Sequence, residues 1–423
     1  MKKVLIISYY WPPAGGSGVQ RWLKFSKYLP ENNFGPIVVT PENPYFEVLD
    51  EELLSDISPL VEICKIPIWE PYRLKDYLFG KGIKAQNAGV ISDKKLFKNK
   101  LLNWIRGNIF IPDPKLYWIK PCIKVLLKKI RRENIKYIIT TGPPHSMHLI
   151  GLGLKKKLPS LKWIADFRDP WSELDILNEF YLSRIAIKKH QKLEAEVLKN
   201  ANMTLTVSPT WVDNFKKLGA QRVELITNGY DADDFSYQKQ SNNKFVIGHY
   251  GLLNHLRNPK NLWKVLDKIC SENIEFNKRL EIHFSGNTDK DVISDIISFP
   301  NLKNKIKHLG YLSHTEVINQ YNEASVLLLL LFNSKSGIGN YPGKLFEYFA
   351  TRKPILAFGP DGSDTQKLIK DTGSGFYHPY SEISLRSTIT TLFNDSSLRK
   401  NQNIDQFSRK ELTRELAKLI QKL

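Results

Sequence analysis

The chain has 423 residues, a length that predicts two domains rather than one compact core. Hydrophobic residues make up 42% and charged residues 25%, and these globular values exclude a chain that is disordered throughout. The three cysteines lie far apart in the sequence, so we expect neither a disulfide framework nor a zinc site. The net charge of +19 needs an explanation, and its distribution along the chain supplies part of one.

The apolar runs of the sequence are short. The run near the N-terminus covers only Val4 to Ile7 and lacks the cleavage site of a signal peptide. The longest run, Ser325 to Phe332, is far below the ~20 residues that a transmembrane helix needs. We therefore expect a protein that is soluble or at most peripheral on the inner membrane, and the sparse cysteines fit a reducing cytoplasm.

The first half of the chain alternates strand and helix patterns. Val4 to Ser8 predicts a strand buried on both faces, a glycine-rich loop follows it, and Val19 to Leu29 has helical spacing. Further strands are predicted at Pro36–Thr40, Tyr137–Thr141, Leu161–Ala165 and Met203–Val207. This alternation predicts a parallel sheet with helices on both faces.

Between Arg73 and Lys136 the sequence has 17 Lys or Arg residues and 4 Asp or Glu residues. The apolar residues interleaved with this charge are Phe97, Leu101, Trp104, Ile105, Phe110, Tyr117 and Trp118. Such a segment suits an anionic membrane surface, where each basic residue contributes ~1 kcal/mol, but a solvated helix face is an equally good interpretation. Nucleic acid is less favoured, because no zinc-finger, RNP or basic-zipper pattern accompanies the charge.

The second half repeats the strand and helix alternation after a polar segment, Asp233 to Lys244, that predicts a linker. Its predicted strands are Phe245–Tyr250, Leu280–Ser285, Ile306–Leu309, Val326–Leu330 and Pro354–Phe358. We predict one domain over 1–237, a second over 244–404 and a C-terminal helix over 405–423. Two doubly wound α/β domains bind ligands at the carboxyl ends of their strands, so we expect the site in the cleft between them.

The loop Gly15-Gly16-Ser17-Gly18 follows the first predicted strand. Closely spaced glycines let backbone amides approach a phosphate, and the N-terminus of the next helix adds its positive end. A dinucleotide fingerprint is disfavoured, because Arg21 takes the place of its third glycine and no acidic residue follows the second strand. A glycine turn that is needed only for its backbone angles is the alternative.

A second candidate site opens a helix after the strand Val326–Leu330. Lys344 and Glu347 are three residues apart and share one helix face. A lysine in the first turn opposes the helix dipole, so an anionic ligand would explain it, and Glu347 could accept hydrogen bonds from ribose hydroxyls. The alternative is a surface ion pair that contributes roughly 0.2–0.5 kcal/mol.

In their order and spacing these motifs resemble the GT-B glycosyltransferases of family 4, a retaining and metal-independent group. The matching residues are Gly15–Gly18, Ile226–Asp231, Gly251, His308–Leu312 and Pro342–Tyr348. The resemblance implies two Rossmann-like domains, the first on the acceptor side and the second binding a nucleotide sugar. It also implies a nucleotide-diphosphate sugar as the donor substrate, with neither a cofactor nor a metal.

The resemblance also assigns donor-binding residues. Gly15, Gly16 and Gly18 would face the diphosphate and the sugar, and Arg257 or Lys260 would pair with the phosphates. Gly310 and Tyr311 would contact the base, Gly343 and Lys344 would hold the diphosphate, and Glu347 would bind the ribose. Two family residues are replaced: the first glutamate of the Glu-x7-Glu element is Gly339, and the arginine beside Gly251 is Leu252.

Two stretches on the acceptor half complete the candidate site. His145 matches a histidine with which family members often contact the donor sugar, and a packing role is the alternative. Asp166 and Asp169 flank Arg168, and the three residues would either form an ion-pair network or bind acceptor hydroxyls or phosphate. His145, Asp166 and Asp169 are therefore the candidate catalytic residues.

The predicted function is the retaining transfer of a sugar from a nucleotide sugar to a lipid-linked glycan acceptor, in cell-surface polysaccharide synthesis at an anionic inner-membrane surface. In the family mechanism a donor phosphate oxygen takes the acceptor's proton, so no protein nucleophile is needed. Two alternatives stay open. A sugar-nucleotide epimerase would call for more acid–base residues than the sequence shows, and a degenerate GT-B binding module is favoured by Gly339.

Overall fold

The structure is a computed structural model, and it describes residues 1–46, 48–71, 96–173, 175–235, 243–395 and 404–423. These residues form two compact units, Met1–Thr227 with Arg409–Leu423, and Asn228–Ser408. Residues 236–242 of the predicted linker and 73–95 of the basic segment lie outside the described residues. Within the described ranges, no helix is both long and apolar enough to cross a membrane.

The first unit contains a parallel sheet of seven strands in the order β3-β2-β1-β4-β5-β6-β7. The strands are β1 Lys2–Ile7, β2 Phe34–Pro41, β3 Glu62–Ile66, β4 Tyr137–Gly142, β5 Lys162–Phe167, β6 Met203–Thr206 and β7 Val223–Leu225. Leu5 and Ile7 pack into the core on one face of β1, and Val4 and Ile6 pack into the core on the other. Burial on both faces explains why this strand is an unbroken apolar run.

Helices cover both faces of this sheet. They are Ser17–Tyr28, Leu96–Asn108, Ile119–Arg132, Ser146–Lys157, Arg184–Asn200, Pro209–Lys217 and Arg409–Gln421. The last of them lies within the predicted C-terminal helix, and its Leu412 and Leu416 join the core formed by Val19 and Trp22 of the first helix. The C-terminal helix is therefore part of the first unit.

The second unit contains a parallel sheet of six strands in the order β10-β9-β8-β11-β12-β13. The strands are β8 Phe245–Tyr250, β9 Leu280–Ser285, β10 Ile306–His308, β11 Val326–Leu330, β12 Ile355–Gly359 and β13 Gly375–Pro379. The helices are Lys260–Glu272, Ile274–Arg279, Lys290–Ile297, His314–Glu323, Gly343–Thr351, Asp364–Thr372 and Arg386–Asn394. In each sheet the strand order reverses at its centre, between β1 and β4 and between β8 and β11, and ligands of such sheets bind outside the carboxyl ends of the strands there.

The strands that the sequence pattern missed are β3, β7 and β13, and all three are edge strands. Edge strands have one neighbour and are partly open to solvent, so they lack the continuous apolar pattern of the central strands. The β3 residues Glu62 and Ile63 are exposed, whereas every residue of β11 is buried.

Candidate functional sites

Lys344 lies in the first turn of the helix Gly343–Thr351, at the carboxyl end of β11. A Cβ atom placed on Gly251, directly after β8, would lie 2.0 Å from Lys344 Nζ, so this glycine provides the space that the ammonium group occupies. Burial lowers the pKa of Lys344 to about 8; nearby Glu347 opposes this shift and Arg257 adds to it. Among the described residues, no protein acceptor takes a hydrogen bond from this ammonium group.

Arg257 is the second cation of this site. Its guanidinium lies over the ring of Phe332, 3.8 Å from the centroid, and burial lowers its pKa to about 10. Its Nε is buried, and in the part of the chain that the structure describes it has no hydrogen-bond partner. Burying an unpaired charge is unfavourable, so a bound anion would stabilise both Arg257 and Lys344. Lys260, the other basic residue that the sequence suggested, instead forms an exposed ion pair of 3.2 Å with Asp295.

Glu347 lies one helical turn after Lys344, and its carboxylate is held from both sides. Tyr321 donates its O–H to Oε2 at 2.7 Å, and Nε2 of His314 lies 3.5 Å from Oε1. Burial alone would raise the pKa of Glu347, but His314, Tyr321 and Lys344 outweigh burial and lower it to about 2. Glu347 is therefore ionised at neutral pH and held in one orientation. The sequence did not point to His314 and Tyr321 as partners of Glu347. The local pattern there is the capping box of Ser313 and Glu316, which marks only the start of a helix.

The glycines of the second unit serve different purposes. Gly310 has a φ of 73°, and its carbonyl accepts hydrogen bonds from the Gly286 amide at 2.8 Å and from Ser285 Oγ at 3.1 Å. It thereby fixes the loops that follow β9 and β10, and the next side chain, Tyr311, is exposed. A Cβ on Gly343 would meet no atom within 4 Å, so the start of its helix faces open space.

In the first unit, the glycine loop follows β1 and leads into the helix Ser17–Tyr28. Gly16 has a φ of 90°, a conformation that favours glycine. Gly18 is required for close packing instead, since its Cβ would lie 3.3 Å from the Tyr10 ring and 3.5 Å from Arg168 Nη1. The Gly15 amide donates to the carbonyl of Val48 at 2.9 Å. The loop is thus tied down at Gly15 and open at Gly16.

Asp166, at the carboxyl side of β5, has a fully paired carboxylate. Arg21 Nη2 donates to Oδ1 at 2.9 Å, and Trp22 Nε1 and Thr141 Oγ1 donate to Oδ2 at 2.7 and 3.0 Å. Burial would raise the pKa of Asp166, but Arg21 and the hydrogen bonds lower it below its ordinary value. Arg21 also donates to the carbonyls of Ile226 and Thr227. Asp166 therefore ties the first helix to β5 and to the end of the unit, and in this arrangement it is not open to a substrate.

The predicted ion-pair network around Arg168 has a different arrangement from the expected one. Asp166 is hydrogen-bonded to Arg21, and Arg168 donates to backbone carbonyls. Asp169 has an exposed side chain, and across the described ranges no hydrogen bond ties it to another residue. Of the two aspartates, Asp169 is the one that a substrate can reach.

His145 is buried after β4, and its ring stacks on Trp171 with 4.9 Å between centroids. Neither ring nitrogen has a hydrogen-bond partner in the residues that the structure describes, and burial lowers the pKa of His145 well below its ordinary value. His148 packs on Phe167 and interacts through Nδ1 with Thr140 Oγ1 at 2.9 Å, and burial lowers its pKa to about 3. Both imidazoles are therefore neutral at physiological pH.

The basic segment contributes both to the core and to the surface. Trp118 is fully buried, and Lys129 is paired with Glu62 and Glu133. Trp104 and Tyr117 are exposed. The ring of Tyr117 packs against two other aromatic rings, with centroid distances of 4.7 Å to Trp69 and 6.3 Å to Phe110. These three residues form an aromatic patch. The side chains of Phe97 and Leu101 lie outside the described part of the structure.

Comparisons with known proteins agree with this architecture. Residues 231–410 match the family model described as Glycosyl transferases group 1. Among solved structures, sucrose-phosphate synthase from Thermosynechococcus elongatus has 14% identity and a TM-score of 0.64 over 100% of this chain and 99% of that one. A TarM variant from S. aureus, in complex with fondaparinux, alpha-GlcNAc-glycerol and UDP, has 12% identity and a TM-score of 0.62 over 99% and 100%.

S. aureus MnaA, solved with UDP, has 13% identity and a TM-score of 0.54 over 100% of this chain and 96% of that one. A comparison with curated protein sequences found no match. At these identities the structural likenesses establish the fold, and the family model matches part of the second half, residues 231–410. The chain therefore has the GT-B fold, and the match of residues 231–410 to the group 1 glycosyltransferase model supports a glycosyltransferase, the enzyme class that the sequence predicted.

Proposed function

We propose that the protein is a retaining, metal-independent glycosyltransferase of family 4. It moves a sugar from a nucleoside-diphosphate sugar to a lipid-linked glycan in cell-surface polysaccharide synthesis. The observation that carries this proposal is the arrangement of Lys344, Arg257 and Glu347. Among the described residues, neither Lys344 nor Arg257 is hydrogen-bonded to a carboxylate. The carboxylate of Glu347 is held in one orientation by Tyr321. A diphosphate supplies the anion and a ribose supplies the hydroxyl donors that this set lacks.

The proposed contacts follow from the chemistry of each group. The diphosphate accepts hydrogen bonds from Lys344, Arg257 and the amide of Gly343, and these donors stabilise the charge that develops on the departing nucleotide. Glu347 accepts from the ribose, and the backbone of Gly310 and Tyr311 meets the base. Lys260 is outside this set, because its ammonium pairs with Asp295.

In the first unit we assign the acceptor and the transferred sugar of the donor to the loops at the carboxyl ends of β1, β4 and β5. The open amides near Gly16 are suited to a phosphate or sugar oxygen. Asp169 is exposed and suited to an acceptor hydroxyl. In the described residues the ring nitrogens of His145 have no hydrogen-bond partner, and a sugar hydroxyl could provide one. Asp166 has a structural role, since Arg21, Trp22 and Thr141 already pair with its carboxylate.

The aromatic patch of Trp69, Phe110 and Tyr117 supports the proposed location at the cytoplasmic surface of the inner membrane. Amphipathic aromatic rings are favoured at membrane interfaces, and exposed basic residues such as Lys120 and Lys124 lie close by in the sequence. Anionic lipid would complement this charge. The patch would also keep the enzyme close to a lipid-linked acceptor.

A thermal-shift screen against UDP, GDP, ADP, TDP and CMP tests the proposal. We expect one nucleotide to raise the Tm of the wild type, and the Glu347→Gln variant to lose most of that rise. Lys260→Met is the matched control, because it removes a basic residue of the same unit that lies outside the proposed site. The absence of any shift would contradict the proposal.

Release of the nucleotide separates the remaining alternatives. A transferase releases a nucleoside diphosphate from its donor in the presence of acceptor, and slowly by hydrolysis without it. An epimerase would change the sugar of the donor instead. A degenerate binding module, the reading favoured by Gly339, would bind the nucleotide without turnover.

A further inference from the structure

Arg168 lies where three segments of the first unit meet. Its guanidinium donates from Nε to the Gly142 carbonyl at 3.1 Å, from Nη2 to the Pro143 carbonyl at 2.6 Å and from Nη1 to the Gly18 carbonyl at 2.9 Å. A planar guanidinium suits this task, because its N–H groups point in fixed directions. One side chain thus connects the end of β4 and the loop after it to the glycine loop after β1.

The strand order explains why Arg168 can make these contacts. It follows β5, and β4 and β1 are the next two strands of the sheet, so the side chain reaches across β4 towards the loop after β1. Gly18 allows the close approach, since a Cβ there would lie 3.5 Å from Nη1. The connected loops flank the point at which the strand order reverses, where sheets of this kind bind their ligands.

We propose that Arg168 is a positioning residue of the transfer reaction, which fixes the loop Gly15–Gly18 relative to the loop Gly142–His145. The expected effect on turnover rests on the proposed function, but the positions of the two loops can be measured whether or not that function is correct. Arg168 acts through backbone atoms of the two loops and contacts no reacting group. Both loops carry groups that we assign to substrate binding, so a change in their spacing lowers turnover.

The matched control is Lys155, a cation of the same unit with a similar bonding pattern. Its Nζ donates to the carbonyls of Pro159 at 2.8 Å and Leu161 at 2.7 Å, and to Asn202 Oδ1 at 3.0 Å. These bonds lie before the amino end of β5, at the opposite end of the strand from Arg168. Lys155→Gln therefore removes comparable hydrogen bonds without touching the proposed acceptor loops.

The experiment compares Arg168→Gln, Arg168→Lys and Lys155→Gln with the wild type. Hydrogen exchange is followed by mass spectrometry in peptides that cover 8–20 and 140–150. Turnover is measured on the sugar donor of the nucleoside diphosphate that gives the largest thermal shift. We expect both Arg168 variants to exchange about tenfold faster in these peptides and to lose roughly 30- to 100-fold in kcat. The Kd of the nucleoside diphosphate should stay within about twofold, because its proposed charged contacts, Lys344, Arg257 and Glu347, belong to the second unit. Lys155→Gln should lower the Tm but leave both loops and kcat unchanged.

Several results would overturn the proposal. Unchanged exchange in both loops would show that Arg168 does not hold them. Faster exchange with unchanged kcat would show that the held geometry does not matter for transfer. Full activity of Arg168→Lys would assign the effect to charge and not to the guanidinium. A wild type that binds no nucleoside diphosphate would instead contradict the proposed function, while the exchange data would still decide whether Arg168 positions the loops.

Discussion

Replacing Lys344 with methionine should change stability and nucleotide binding in opposite directions. Burial holds the pKa of Lys344 at about 8, below the 10.5 of a free lysine, which corresponds to roughly 3 kcal/mol of unfavourable burial of the charged form. Methionine has a similar length and carries no charge, so the variant without ligand should be more stable than the wild type. Its Tm should rise by a few degrees.

Nucleotide binding should weaken in the same variant. A hydrogen bond to a charged group contributes about 1.5–3 kcal/mol, so the Kd of the nucleoside diphosphate should rise by roughly 10- to 150-fold. Isothermal titration calorimetry gives the Kd, and Lys260→Met provides the control of equal charge change. An unchanged Kd, or a Tm that falls by several degrees, would refute this reasoning.

The pH dependence provides an independent check on the same residue. Between pH 8 and 10.5 the folded lysine is neutral while the unfolded one is charged, so the unfolded state binds more protons and stability rises with pH. A bound diphosphate favours the charged ammonium, and nucleotide affinity should therefore fall above pH 8 by up to tenfold per pH unit. Up to pH 9, where Arg257 stays mostly charged, the Lys344→Met variant should show neither trend. A wild-type affinity that is constant from pH 7 to 9.5 would refute the assignment.

Four further predictions concern single features of the two units. Gly251→Ala should raise the Kd of the nucleoside diphosphate at least tenfold, because its Cβ would lie 2.0 Å from Lys344 Nζ and would displace the ammonium group from the site. Gly35→Ala, whose Cβ would meet nothing closer than 3.8 Å, should leave the Kd measured by calorimetry unchanged. Asp166→Asn should lower the free energy of unfolding, measured with urea, by about 3–5 kcal/mol, because it leaves Arg21 buried without its charged partner. A loss of activity without a loss of stability would contradict the structural role of Asp166. The free energy of unfolding should fall below pH 6.5 by about 1.4 kcal/mol per pH unit for each of His145 and His148, because the unfolded state protonates them while the folded state keeps them neutral. Urea unfolding between pH 7 and 5 should show a smaller dependence of this free energy on pH for His148→Asn than for the wild type. Sedimentation with vesicles that contain anionic lipid at low salt should carry down the wild type but much less of a Trp69→Ser and Tyr117→Ser double variant, and equal binding of both proteins would rule out the aromatic patch.

The sequence alone determined the features that are written in local patterns. Unbroken apolar runs marked the central strands because these strands are buried on both faces, as in β1 and β11. The glycines after β1 and the Lys344 and Glu347 pair marked two helix starts at the carboxyl ends of strands. The resemblance carried by these motifs predicted the GT-B fold and the glycosyltransferase class, and both are confirmed.

Only the tertiary structure decided which charged groups meet. Asp166 pairs with Arg21, which lies 145 residues away, and no local pattern links the two. The missing side chain of Gly251 makes room for Lys344, and Arg257 rather than Lys260 influences the charge on that lysine. Hydrogen bonds and charge interactions act over a few ångströms, and the strand order brings these residues together from distant parts of the chain. A sequence pattern specifies each element and its buried face, whereas the partners of a buried charge depend on which elements become neighbours.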